Sequence, residues 1–353
     1  MNKIDKIKQM NLYRPVKIGS LELEGNLFIA PLAGYTDRGF RSICIEQGAN
    51  FGFTELVSAE ALYRKPEHYG LVKGGRSLPT SAALVSRAPN EKHYAVQLFA
   101  GEPEAIYKAA LLLAPLRPDI VDINAGCPVP KVVKNGAGSA LMKDPARLGK
   151  VVEAAVRASS EALGNVPVTI KIRSGWDSDS INYIECALIA VEAGAAMVSL
   201  HPRTRSQNYG GTSDWSCIAN LTSRLSIPVT GSGDLYTPQD AERMLKETGC
   251  AAVMFARGVM GNPFIFSATK SFLETGTWDP VSFSERIKTA FRHLELMAAD
   301  IGERSACLEM RKHFCSYTKG IPGGAAVRER AVHAQTLSEY RQLVDDFASN
   351  SYS

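Results

Sequence analysis

Short apolar runs alternate with longer amphipathic segments over residues 26–260, and this alternation is typical of a parallel sheet built from βα units. Helical patterns lie between the runs, for example at 103–113, 145–163 and 183–193, and Asp144 is placed to cap the second of these. The predicted strands are 26–30, 51–57, 94–99, 119–124, 168–172, 197–201, 227–230 and 251–255. Eight such units predict an α/β fold, a closed (β/α)8 TIM barrel.

An open doubly wound sheet is the main competing architecture. Such a sheet usually carries a glycine-rich dinucleotide loop after its first strand, and the sequence Ala30-Pro-Leu-Ala-Gly-Tyr-Thr-Asp37 does not match that loop. Beyond about residue 265 the alternation stops, and a linker at 275–280 leads into helical patterns without a strand candidate. We therefore expect a barrel domain at 1–270 and a small C-terminal helical domain at 281–353.

Composition narrows the class of protein. Apolar residues make up 45% of the 353 positions and charged residues 22%, as in a folded protein with a large core. The net charge of +4 permits a polyanionic partner without requiring one. Seven cysteines are scattered without a CxxC pair, which favours reduced thiols and a cytoplasmic location. We expect a monomer.

Membrane and metal functions are disfavoured by the sequence. Residues 1–8 mix charged and apolar positions, unlike a signal peptide, and no apolar run approaches the roughly 20 residues of a membrane-spanning helix. No HxxxH or HExxH motif occurs, so we expect no metal site. A GxSxG elbow is also missing, which argues against a serine hydrolase.

An amide ends the predicted fourth strand and a thiol follows it, in Asp122-Ile-Asn-Ala-Gly-Cys-Pro128. Catalytic groups of parallel barrels collect at the carboxyl ends of the strands. An isolated cysteine is more often a small buried hydrophobe. The neighbouring Asn124 and the Gly/Pro turn favour a functional role for Cys127.

Two further strand ends indicate a phosphate site. The seventh strand ends in Gly231-Ser-Gly-Asp234 and the eighth in Ala256-Arg-Gly258. Loops at these two positions of a barrel often bind phosphate through backbone N–H groups, and Arg257 would add a cation. The alternative is a pair of tight turns that need glycine for backbone reasons alone.

Polar residues inside predicted strands are the remaining candidates. Lys171 and Arg173 share one face of the fifth strand, the predicted interior, where a lysine needs an anion or an electron-rich ligand. A lysine in solvent at the rim is the alternative. Gln97 and His201 have the groups to hydrogen-bond a heteroaromatic ring, or are satisfied within the core.

Taken together, these residues resemble the bacterial tRNA-dihydrouridine synthases, flavoenzymes that reduce selected uridines, and most closely the B-type subgroup. The resemblance is strong over 26–266 and looser over the helical tail. It rests on Ala30-Pro-Leu-Ala-Gly-Tyr-Thr-Asp37, Phe40-Arg41, Thr54-Glu55, Gln97-Leu98, Asp122-Ile-Asn-Ala-Gly-Cys-Pro128, Lys171-Ile-Arg173, His201-Pro-Arg-Thr-Arg205, Tyr209, Asp214-Trp215, Gly233-Asp234, Arg257-Gly-Val-Met-Gly-Asn-Pro263, Arg311-Lys-His313 and Tyr317-Thr-Lys-Gly320.

The resemblance implies FMN across the barrel mouth, with NADPH or NADH as reductant. The flavin ring would contact Pro31, Leu32, Ala33, Gln97, Lys171 and His201, and its phosphate would contact Ser232, Gly233, Asp234, Ala256 and Arg257. Two positions depart from the family pattern, which usually has Asn at 232 and Gly at 256. A methyl group at Ala256 is compatible with a phosphate-binding N–H if φ stays negative. Leu32 replaces a commoner Met, a small change.

The resemblance further implies that FMN gives hydride to C6 of uracil, that Cys127 gives a proton to C5, and that Asn124 binds the base. A thiolate nucleophile is the competing role for Cys127. The helical domain would then bind tRNA. Predicted phosphate contacts are Arg203, Arg205, Arg311, Lys312, Lys319, Arg328 and Arg330.

Two other functions remain open at this point. One is reduction of a small pyrimidine or another enone by an FMN barrel, without nucleic acid. The other is an RNA-binding protein that keeps a barrel without its chemistry.

Overall fold

A closed barrel of eight parallel strands forms the body of the protein. The computed structural model describes residues 12–72 and 77–349; residues 1–8, whose sequence we interpreted above, and the outermost residues of both predicted domains lie outside this part. The strands are β1 (Val16–Ile18), β2 (Leu21–Leu23), β3 (Leu27–Ile29), β4 (Phe51–Phe53), β5 (Val57–Ser58), β6 (Tyr94–Phe99), β7 (Ile120–Ala125), β8 (Val168–Arg173), β9 (Met197–His201), β10 (Val229–Ser232) and β11 (Ala252–Phe255).

The barrel closes because each of its strands has two parallel neighbours. The order runs β4-β3-β11-β10-β9-β8-β7-β6, and β6 pairs back to β4. The eight barrel strands are the eight that the sequence predicted, so the TIM barrel is confirmed. All of their carboxyl ends meet at one mouth, which brings together the motifs that follow them.

The second predicted strand, 51–57, is interrupted in the structure. It divides into β4 and β5, and both parts pair with β6. The hydroxyl of Thr54 accepts the N–H of Gln97 at 3.0 Å, the place that a strand carbonyl would otherwise take. The polar side chain therefore ends the ladder here.

A short antiparallel hairpin, β1–β2, was not predicted. Its two strands have only three residues each, too few for a visible alternation. Val16, Ile18 and Leu23 pack with Phe28 and Phe51 in the cluster that fills the barrel interior. The hairpin therefore covers the bottom of the barrel, opposite the mouth.

Ten helices accompany the barrel and four form the C-terminal region in the part of the chain that the structure describes. They are α1 (Arg38–Glu46), α2 (Ala59–Arg64), α3 (Pro79–Val85), α4 (Pro103–Leu111), α5 (Pro130–Val133), α6 (Pro145–Ala162), α7 (Tyr183–Glu192), α8 (Ser216–Arg224), α9 (Pro238–Thr248), α10 (Ile265–Thr275), α11 (Phe283–Ile301), α12 (Glu303–Tyr317), α13 (Gly324–His333) and α14 (Leu337–Ser349). No described helix combines the length and the apolar character needed to cross a bilayer.

The helical region docks on the first βα unit of the barrel. Asp37 caps α1 by accepting the N–H of Phe40 at 3.0 Å, and the same carboxylate lies 3.0 Å from Nε2 of His293 and 3.6 Å from Nε2 of His313. The possible ligand atoms of these three residues lie within 4.8 Å of one another. Three residues of a type that can bind metal thus lie together, although they are too far apart in the sequence for a local motif to reveal them. In this structure the two histidines contact the carboxylate of Asp37.

Candidate active site

A cavity of about 430 Å³ opens at the mouth of the barrel. Its wall combines loops after six of the eight strands, as expected for the carboxyl end of a parallel barrel. The lining residues are Ala30, Pro31, Leu32, Ala33, Tyr35, Leu56, Asn124, Gly126, Cys127, Pro128, Val129, Lys171, Arg173, His201, Tyr209, Ser232, Gly233, Asp234, Leu235, Tyr236, Ala256, Arg257 and Met260. Twelve of the sequence-predicted site residues are among them.

Cys127 is half-buried on the cavity wall. Its N–H donates to Oδ1 of Asn124 at 2.9 Å, and its carbonyl accepts the hydroxyl of Ser139 at 2.9 Å. Burial raises the pKa of the thiol, while the backbone N–H of Val129 and the charges of Arg173 and Lys171 oppose that shift. The thiol is therefore protonated at neutral pH, and can give up a proton to a bound molecule.

Three basic side chains line the wall beside Cys127. Burial lowers the pKa of Lys171 to about 8, and the neighbouring Arg173 adds to the effect. Burial also lowers the pKa of His201 well below its usual value, helped by the nearby cations. Nη1 of Arg203 lies 3.3 Å from Nε2 of His201. Because a guanidinium only donates, Nε2 is the acceptor and the ring proton sits on Nδ1.

Arg173 was predicted to lie beside Lys171, but its role as a clamp between loops was not foreseen. It is buried, and Nε donates to the carbonyl of Gly126 at 2.7 Å. Nη1 donates to the carbonyls of Thr204 and Asn208, both at 2.9 Å. Arg173 therefore ties the Cys127 turn to the loop after β9, and only the folded chain reveals these partners.

The loops after β10 and β11 have the features of an anion site. Among the described residues, the backbone N–H groups of Gly233, Asp234, Ala256 and Arg257 have no hydrogen-bond partner. A Cβ on Gly233 would lie 2.2 Å from Oγ of Ser213, and φ at this glycine is +114°. These loops therefore bring free donors close together, as a phosphate requires.

Both positions that depart from the family pattern are accommodated. Ala256 has φ of −112°, so the condition of a negative φ for its methyl group is met. The hydroxyl of Ser232 donates to the carbonyl of Met254 at 3.0 Å. The hydroxyl hydrogen of Ser232 is therefore used in a bond to the neighbouring strand and is not available to an anion.

Gln97 and Arg203 do not have the surroundings that the sequence suggested. Gln97 is fully buried beneath the cavity, where Nε2 donates to Asp122 at 2.6 Å and Oε1 accepts from Asn124 at 2.8 Å. Arg203 was expected at the rim, but only 1% of it is exposed. Its guanidinium binds the carboxylate of Asp234 at 2.8 and 2.9 Å, and a buried arginine so paired is not free for a phosphate.

Asp234 also organises Arg257, one of the predicted phosphate contacts. Nη2 of Arg257 lies 3.1 Å from the carboxylate, and the guanidinium lies over the rings of Tyr209 and Tyr236 at 5.2 and 5.6 Å. Both tyrosines are exposed at the cavity mouth, and neither was among the site residues predicted from the sequence. Arg257 is thereby held at the mouth.

The other predicted tRNA contacts lie outside the cavity. Arg205 is half-buried over the ring of Trp176 at 4.8 Å, and Lys312 pairs with Glu309 on α12. Arg311 is half-buried and Lys319 is exposed. Arg328 donates to the carbonyl of Thr318 at 3.2 Å, and Arg330 pairs with Asp346 at 2.6 Å.

Comparison with known proteins agrees with the motifs. The family model for dihydrouridine synthase (Dus) matches residues 28–352. A probable tRNA-dihydrouridine synthase of Treponema pallidum (strain Nichols) is 46% identical over 345 residues, which span 96% of this chain and 98% of that protein. The tRNA-dihydrouridine synthase B of Xanthomonas axonopodis pv. citri is 34% identical over 333 residues, with 94% and 95% covered.

Solved structures of low identity share the barrel. Histamine dehydrogenase from Rhizobium sp. 4-9 aligns with a TM-score of 0.56 at 13% identity, over 82% of this chain and 51% of its own. The old yellow enzyme homologue from Zymomonas mobilis aligns at 0.50 and 13% identity, over 77% and 94%. These likenesses concern the fold, whereas the family model and the closely related sequences show that the chain belongs to the dihydrouridine synthase family.

Proposed function

We propose that this protein reduces uridines in tRNA to 5,6-dihydrouridine, with FMN as cofactor and NADPH or NADH as reductant. The observation that carries the proposal is the position of Cys127. Cys127 lines the same cavity as the two loops with free N–H groups, which supports one site for a proton donor and a phosphorylated cofactor. The names of the related proteins support tRNA as the substrate.

FMN fits the residues that are present. Gly233, Asp234, Ala256 and Arg257 line the cavity, and among the described residues their backbone N–H groups have no partner, so these donors suit the cofactor phosphate. Pro31, Leu32 and Ala33, which follow β3 beside the loop after β11, would supply an apolar surface for the ring. When bound, FMN supplies the hydride that adds to C6 of uracil.

Cys127 then supplies the proton that adds to C5. The S–H bond breaks, the proton goes to carbon, and the sulfur is left as a thiolate that solvent reprotonates. The raised pKa of the thiol keeps it loaded with a proton at neutral pH. The nearby cations Arg173 and Lys171 stabilise the thiolate that forms. A protonated resting thiol favours the acid role over that of a nucleophile.

Lys171 and His201 have distinct roles in this scheme. Lys171 is cationic at neutral pH despite its lowered pKa of about 8, so it would stabilise negative charge that develops in the cavity. His201 is neutral and offers the N–H on Nδ1 as a donor. Asn124 uses its Oδ1 for the Cys127 turn, so only the second hydrogen on Nδ2 is available to a bound base.

Substrate binding requires the target base to flip out of the folded tRNA, since a stacked base cannot enter a cavity in the barrel. We propose that Arg205, Arg311, Lys312, Lys319 and Arg328 contact tRNA phosphates around the mouth. Arg203 is removed from the predicted contacts because it is buried and paired with Asp234.

A reconstitution assay tests this function. The purified protein, loaded with FMN, is incubated with an unmodified tRNA transcript and NADPH or NADH, and dihydrouridine is measured by nucleoside mass spectrometry. We expect dihydrouridine, and a steep loss of activity when salt rises from about 50 to 200 mM, because phosphate contacts release counterions. Reduction of 2-cyclohexenone without any reaction of tRNA would instead indicate a small-molecule enone reductase.

A further inference from the structure

Buried polar groups beneath the cavity form a chain that ends at Cys127. Asp122 lies on β7 and is fully buried. Its Oδ1 accepts the hydroxyl of Thr169 at 2.5 Å, and its Oδ2 accepts Nε2 of Gln97 at 2.6 Å. Thr169 and Gln97, two neutral donors, are the hydrogen-bond partners of Asp122 among the described residues, and the charge of nearby Lys171 favours its ionised form.

The chain continues through two side-chain amides. Oε1 of Gln97 accepts Nδ2 of Asn124 at 2.8 Å. Oδ1 of Asn124 then accepts the backbone N–H groups of Gly126 at 3.2 Å and Cys127 at 2.9 Å. The chain therefore runs from a carboxylate to the backbone of the turn that carries the thiol.

Only one orientation of both amides satisfies every donor. The backbone N–H groups of the turn can only donate, so Oδ1 of Asn124 must face them. Its amide nitrogen therefore points to Gln97, whose oxygen must accept and whose nitrogen must donate at the other end. The last partner has to be an acceptor, and an ionised Asp122 is one. Burial raises the pKa of Asp122 to about 6, which leaves it ionised at neutral pH.

We propose that Asp122 is a positioning residue for Cys127, acting through the interlocked amides of Gln97 and Asn124. This rests on the proposed function for its catalytic consequence, but the placement of the thiol is a property of the chain itself. Gln97 is then the centre of this chain, and its position below the cavity wall explains why it does not line the cavity.

Reversing the polarity of the chain tests the proposal. Gln97→Glu places two buried acceptors against each other at Asp122, and we expect dihydrouridine formation to fall about 10- to 100-fold. Adding Asp122→Asn supplies an N–H to the carboxylate introduced at position 97, while the oxygen of the new amide still accepts from Thr169. The double variant should therefore recover most of the lost rate. A residue that only fills space gives no such rescue.

A second readout does not depend on tRNA. Alkylation of Cys127 by iodoacetamide is measured by peptide mass spectrometry in the full-length protein, because thiol reactivity depends on position and surroundings. We expect the rate to change in Gln97→Glu and to return in the double variant. Thr169→Val is the matched control: it removes one donor to Asp122 without altering either amide, and its effect should be smaller than that of Gln97→Glu.

The outcomes separate the two ideas. Suppose that the alkylation rate changes in Gln97→Glu and returns in the double variant, while the wild-type protein forms no dihydrouridine. This result supports the positioning role and overturns the proposed function. No rescue of alkylation overturns the positioning role, as does loss of FMN from Gln97→Glu that Asp122→Asn fails to restore. If Gln97→Glu does not fold, Asn124→Asp places a carboxylate against Oε1 of Gln97. Turning the Gln97 amide so that Nε2 donates to this carboxylate moves the mismatch to Asp122, where Asp122→Asn is expected to relieve it.

Discussion

The helical region packs tightly against Gly261, at the end of the loop that follows β11. Gly261 has φ of +67°, and a Cβ here would lie 2.3 Å from the carbonyl carbon of Ser316 and 2.4 Å from the nitrogen of Tyr317. Both contacts are with backbone at the end of α12, which cannot rotate away as a side chain does. We predict that Gly261→Ala pushes α12 from the loop that holds Arg257.

The expected cost has two parts. A left-handed alanine costs about 1–2 kcal/mol relative to glycine, and overpacking against backbone adds about 1–3 kcal/mol. The free energy of unfolding should therefore fall by about 2–5 kcal/mol. Gly276→Ala is the matched control, since Gly276 has φ of +83° and a Cβ there meets no atom within 4 Å. It carries the conformational cost alone.

Urea unfolding of both variants measures the difference. Limited proteolysis of the segment 276–282 reports whether the helical region has loosened, because an undocked region exposes this linker. We expect faster cleavage in Gly261→Ala only. Equal destabilisation of the two variants, with equal cleavage, would show that α12 does not press on this loop.

Three further predictions follow from buried charges and from the anion site. Glu91→Gln removes the charge of the carboxylate that lies 2.8 Å from the guanidinium of Arg41, a residue that is 1% exposed. Urea unfolding should show that the free energy of unfolding falls by about 3–5 kcal/mol, and a fall under about 1 kcal/mol would show that this ion pair is weak. Burial lowers the pKa of His313 to about 3. The folded chain then binds fewer protons than the unfolded chain below pH 6.5, so stability should fall by about 2 kcal/mol from pH 7 to 5, with a shallower fall in His313→Asn. Arg257→Ala should weaken FMN about 10- to 100-fold in a fluorescence titration, and unchanged affinity would place the phosphate elsewhere.

Local pattern was sufficient to predict the barrel. Parallel strands are buried on both faces, so each appears as a short apolar run, and eight runs with helical segments between them determine the architecture. The position of the candidate site was predicted by the same rule, because polar residues such as Asn124 and Asp234 lie at or just beyond the carboxyl ends of these runs, and all carboxyl ends share one mouth.

The partners of individual side chains could not be predicted in this way. Arg203 looked like a rim cation, but Asp234 pairs with it from 31 positions further along the chain. His293 and His313 meet Asp37 across more than 250 positions, a contact that only docking of the helical region creates. The three-residue strands of the β1–β2 hairpin were missed because so short a run has no measurable period.

The role of Cys127 is tested most directly by separating flavin reduction from reduction of tRNA. Cys127→Ala is loaded with FMN, reduced anaerobically with NADPH, and mixed with unmodified tRNA while flavin absorbance and dihydrouridine are followed; Cys217→Ala, a half-buried thiol outside the cavity, is the control. We predict reduction by NADPH at the wild-type rate and a loss of about 10²- to 10⁴-fold in reoxidation by tRNA. Reoxidation at the wild-type rate with normal dihydrouridine would contradict the assignment of Cys127 as the proton donor.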